Sequence, residues 1–96
     1  MTCYMTKAPD EARDYALAWD GLDADERLAE DLGWTIVPQD LDPMGLSLVS
    51  AKIDEDRSVA VLRGGRPGHV YHVACRVRTS AGRILTRGFL LRVNEA

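Results

Sequence analysis

The chain has 96 residues with 46% hydrophobic and 28% charged side chains, the size and balance of one globular domain with a modest core. Its net charge of −3 and the scarcity of aromatics beside its arginines argue against a nucleic-acid binder, and no apolar run approaches a membrane span. The charge is divided unevenly. Residues 1–56 hold four basic and fourteen acidic side chains, whereas residues 57–96 hold eight arginines and one acid.

Residues 1–13 read as an irregular or extended N-terminal arm, without the basic flank and apolar stretch of a secretory signal. Cys3 lies in that arm and Cys75 far away in an apolar strand, so reduced thiols are expected rather than a bridge. Asp14–Asp20 alternates, with Tyr15, Leu17 and Trp19 on one face, and predicts the first strand. Asp20-Gly21 marks a turn.

Residues 23–33, DADERLAEDLG, allow two readings. Asp23 and Glu26 have the spacing of a capping box and Gly33 that of a helix stop. Leu28 and Leu32 also continue the two-residue period of Trp34 and Ile36. The expectation is a short helical turn at 23–26 followed by an extended segment, with a helix over 24–32 as the alternative.

Trp34–Val37 predicts a strand ended by Pro38, and residues 38–43 a loop with two prolines. Met44–Ile53 predicts a strand with Leu46 and Leu48 inward and a bulge or a twist near Ser50, where the apolar parity changes. Asp54, Glu55 and Asp56 form a charged turn. Arg57–Arg63 is expected to be a strand with Val59 and Val61 inward.

The next stretch, GRPGHVYHVACRV (65–77), brings together glycine, proline, histidine, tyrosine and cysteine. Its glycines lack the Gly-Lys-Ser/Thr sequence of a phosphate-binding loop, and a strand follows where that motif needs a helix. His69 and His72 fall on opposite faces of a strand, about 10 Å apart at ~3.3 Å per residue, and do not converge on a metal. Val70–Thr79 is the clearest strand, with Tyr71, Val73, Cys75 and Val77 facing inward. Cys75 there is a small buried hydrophobe without a base beside it. Tyr71 has the place of a tyrosine corner, its hydroxyl bonded to nearby backbone. Residues 79–82 predict a hairpin turn in which Gly82 takes positive φ. Arg83–Val93 returns as the last strand, where Gly88 marks a bulge or close approach that lets Arg87 leave the inward face. Residues 94–96 are a tail. The acidic turns fit no calcium loop.

Six or seven alternating strands in 96 residues predict an all-β, antiparallel sandwich of immunoglobulin or fibronectin III type over 14–93. Leu62 before Pro67-Gly68, the run His69-Val70-Tyr71-His72-Val73, and Trp34 in an early strand resemble the core pattern of fibronectin III-like domains. A second resemblance spans roughly residues 10–93. Asp14-Tyr15 with Trp19, Trp34-Thr35-Ile36-Val37, Gly45-Leu46-Ser47-Leu48, Ala60-Val61-Leu62-Arg63-Gly64-Gly65 and Thr79-Ser80-Ala81-Gly82-Arg83 stand in the order seen in the fibre–tail adaptor family of tailed bacteriophages. The chain departs from it at the acidic ERLAEDLG before Trp34, where that family has a Ser/Thr-rich strand.

The resemblance implies a non-enzymatic virion component of a phage or phage-derived tail, assembled in the bacterial host cytoplasm. Its implied partners are other tail proteins and copies of itself, with no cofactor, metal, nucleic acid, membrane or small-molecule substrate. Expected contact residues are Tyr4 and Met5 in the arm and Arg66 at the loop tip. His72, Arg76, Arg78, Arg83 and Arg87 on the last hairpin, and Glu26, Asp54, Glu55 and Asp56 on acidic turns, complete the set. Trp34, Tyr71, Cys75 and Gly82 are structural. The competing reading is a fibronectin-like module that holds a carbohydrate or host receptor; it wants exposed aromatics, and only Tyr4 falls outside the expected core.

Overall fold

The computed structural model describes residues 3–19, 21–39 and 44–95. These form seven strands: β1 (Cys3–Lys7), β2 (Ala12–Ala18), β3 (Leu28–Val37), β4 (Ser47–Asp54), β5 (Arg57–Arg63), β6 (Val70–Thr79) and β7 (Ile84–Val93). The chain is an immunoglobulin-like sandwich of a four-stranded sheet, β1-β7-β6-β3, and a three-stranded sheet, β2-β5-β4. Every pairing is antiparallel except β1 with β7.

The core lies between the two sheets. Tyr15, Leu17, Trp19, Leu46 and Leu62 from one side meet Tyr71, Val73, Cys75, Val77, Phe89, Leu91 and Val93 from the other. The rings of Tyr15 and Phe89 meet across the interface with centroids 5.5 Å apart. Strand β6 alternates buried and outward residues as its sequence predicts. Cys75 is a buried free thiol, and burial pushes its pKa up to about 11.

Several expectations are corrected. Residues 3–7 are not a free arm, because β1 pairs along its length with β7, from Cys3 opposite Phe89 to Lys7 opposite Val93. β2 starts at Ala12, two residues earlier than its alternation suggests. At 23–33, by contrast, the expected turn followed by an extended segment is what is found, and no helix forms over 24–32. Glu26 turns the chain through Asp23, and β3 runs from Leu28, with register shifts at 28/30 and 31/33 that absorb the irregular apolar spacing.

In β5 the inward face carries Ser58, Ala60 and Leu62, and Val59 and Val61 look outward, half-buried. Either parity of RSVAVLR supplies apolar residues, so local period does not choose. The observed parity buries Leu62 in the core and lets Ser58 Oγ accept the buried indole N–H of Trp19 at 2.9 Å. In β4 the bulge falls where the parity change places it, between Leu48 and Ser50. Leu46 is buried, but Leu48, at the edge of the sheet beside that bulge, is 41% exposed. The proline-rich loop at 38–43 lies mostly outside the described residues.

Candidate functional site

The stretch at 64–71 is a structural corner. Gly65 takes φ +104°, and a Cβ there would stand 2.5 Å from Val93 Cγ2, so only glycine fits. Pro67-Gly68 turns the chain, and the N–H of Gly68 donates to Val93 O at 2.8 Å. Tyr71 is buried, and its hydroxyl accepts the N–H of Arg66 at 3.1 Å, the tyrosine-corner contact. The loop is also clasped by a residue the sequence does not signal. Lys7 is wholly buried and donates from Nζ to Ala8 O at 2.7 Å and Gly64 O at 2.8 Å. Desolvation lowers its pKa, which nearby Glu11 and Asp10 partly counter.

The opposite end of the sandwich is closed by Glu26. This carboxylate is only 3% exposed. It accepts from Thr79 Oγ1 at 2.5 Å, from Arg83 Nε at 2.9 Å, from a terminal nitrogen of the same guanidinium, and from the N–H of Asp23 at 3.0 Å. Arg83 also donates to Gly21 O at 2.9 Å. The Arg83 bonds above all, then those from Thr79 and Asp23, hold the Glu26 carboxyl down to about 2. The capping-box spacing of Asp23 and Glu26 is therefore genuine, but it serves a turn into a strand. Ser80 completes the end: its N–H donates to Arg27 O at 2.8 Å, and its hydroxyl accepts the N–H of Arg27 at 3.0 Å.

The expected contact residues fall in different settings. Glu26 and Arg83 bind one another. Arg87 turns from the inward face to donate to Ala18 O. Met5 packs against the core. Arg66 is half-buried behind its corner. Asp54 pairs with Arg57 at 3.0 Å, leaving Glu55 and Asp56 exposed at the turn. Tyr4, His72, Arg76 and Arg78 remain exposed, and all lie on the outer face of the four-stranded sheet. Arg78 reaches across to Glu30 at 2.9 Å. Gly88 is flat in the sheet rather than bulged: a Cβ there would meet Val73 O at 2.7 Å and His72 Nε2 at 3.1 Å. The imidazole of His72 lies over this glycine, which is the close approach its position predicts.

Among the described residues no three His, Cys, Asp or Glu side chains converge as metal ligands. What the surface offers is an exposed sheet face, a basic side and an acidic turn, the elements of protein–protein contact.

Residues 7–92 match the family model described as "Podophage GP4 fiber-tail adaptor protein gp77". The chain belongs to this fibre–tail adaptor family. A search among curated proteins finds no match. The matched span runs from the buried Lys7 at the end of β1 to Arg92 in β7, so it covers both sheets and both clusters. Membership in the fibre–tail adaptor family makes the chain a structural component of a phage tail whose role is contact with other tail proteins.

Proposed function

We propose that the chain acts as a connector that fixes a fibre to the tail by burying its surfaces against neighbours, and that it does no covalent chemistry. The observation that carries this reading is the family match across residues 7–92. The buried thiol of Cys75 and the internally bonded Glu26 support it, since neither is presented to a substrate.

The connector works through copies arranged around the tail axis, each placing one patch against a different patch of the next. Exposed Glu55 and Asp56 supply an acidic side for such contacts between copies, and the arginines of the β6–β7 face supply a basic surface for a neighbour of another kind. Assembly takes place in the bacterial host cytoplasm before release of the particle. Holding a carbohydrate would call for a cluster of exposed aromatic rings, and Tyr4 stands alone in that role among the described residues.

Deletion of the coding sequence tests the reading. Particles made without the protein are expected to lack fibres, and electron-microscopy maps of complete particles to show it as a repeated density at the fibre attachment. Fibre-bearing particles produced at normal yield without the protein would overturn the proposal.

A further inference from the structure

The outer face of the four-stranded sheet carries an apolar band that no single strand displays. Register places Val37 of β3 beside His72 of β6, His72 beside Leu90 of β7, and Leu90 beside Tyr4 of β1. Val37 is 58% and Tyr4 57% exposed. Val70 and Ile84, outward on the same sheet, are exposed too, so this face holds four of the seven exposed large hydrophobics among the described residues. Beside the band runs a strip of small residues, Thr35–Ala74–Gly88, with the His72 side chain reaching over Gly88. The result is an exposed, partly apolar sheet face suited to another sheet or an extended segment.

Charge identifies the occupant. Arg76 and Arg92 are exposed on this face and make no ion pair with any described residue, whereas Glu30 is already held by Arg78. Two such faces repel each other, which disfavours a symmetric pair of copies. The outward side of the other sheet offers no complement, since Lys52, Arg57 and Arg63 outnumber Asp14 and Asp54 there. The exposed acids of the 55–56 turn have no exposed large apolar residue within that turn to meet the band.

We infer that the Tyr4–Leu90–His72–Val37 face docks a different tail protein, through an apolar surface flanked by carboxylates, rather than a second copy of this chain. The inference rests on the adaptor reading and specifies which surface performs it.

The test places a photo-crosslinking benzoylphenylalanine at position 72 in complete particles, with position 59 on the opposite sheet as comparison. Position 72 is expected to link to a peptide of another tail protein, and Arg76→Glu/Arg92→Glu to reduce incorporation at least tenfold with an unchanged melting temperature. A link from position 72 to this chain itself, or no link while the protein is present in particles, overturns the assignment. So does normal incorporation of the double variant. Absence of the wild-type protein from particles is the separate outcome that defeats the adaptor reading, and this inference with it.

Discussion

Removing a single oxygen tests whether the corner at Tyr71 holds the fold. In Tyr71→Phe the ring keeps its buried place, so packing changes little, but the Arg66 N–H loses its acceptor at 3.1 Å. A net hydrogen bond is worth about 1 kcal/mol, and leaving a partly buried donor without a partner raises the cost to about 1–2 kcal/mol. In a domain this small each kcal/mol moves the melting temperature by about 4–8 °C, so a fall of roughly 5–15 °C is expected. Calorimetry and a urea titration measure it, and the urea slope should be unchanged because the surface exposed on unfolding is the same. Incorporation into particles should persist, since Tyr71 faces the core. A melting temperature within about 2 °C of wild type would refute the claim that the corner is an energetic contact.

Glu26→Gln should destabilise the protein in a pH-dependent way. The folded carboxyl titrates near 2 against an ordinary value of 4.5, so its contribution is complete above about 4.5 and lost as pH falls toward 2. The gap in melting temperature between wild type and variant should narrow across that window; a gap independent of pH down to 2 would contradict it. Gly65→Ala should cost about 2–3 kcal/mol, because it combines positive φ with a 2.5 Å contact to Val93, while Gly82→Ala, with open space around it, should cost only about 1 kcal/mol; equal losses in chemical denaturation would argue against the clash. Ser58→Ala should lower stability by about 1–3 kcal/mol by stranding the buried Trp19 N–H, and an unaffected unfolding midpoint would show that the bond is dispensable. In a Cys3→Ser background, Cys75 should react with a thiol reagent only once denaturant is added, and rapid labelling of the native protein would contradict its burial.

The sequence by itself determined the features that one strand and its turns express. The two-residue period of 70–79, the turn at Gly82, the bulge near Ser50 and the place of Tyr71 all depend on near neighbours, and each is found where the residues put it. Ordered family motifs carried the reading further, to the adaptor family. Tertiary structure decided what local pattern leaves degenerate. The facing of β5 was set by long-range partners, the core around Leu62 and the bond to Ser58 from Trp19, 39 residues away, because both parities of RSVAVLR are apolar enough. The 23–33 segment became turn and strand because Glu26 found Arg83, 57 residues on, and edge pairing with β6 outweighed helix propensity. The N-terminal residues joined β7 in parallel, a pairing no local period announces. The docking face exists only after four strands from both ends of the chain lie side by side, since each contributes one residue to the band.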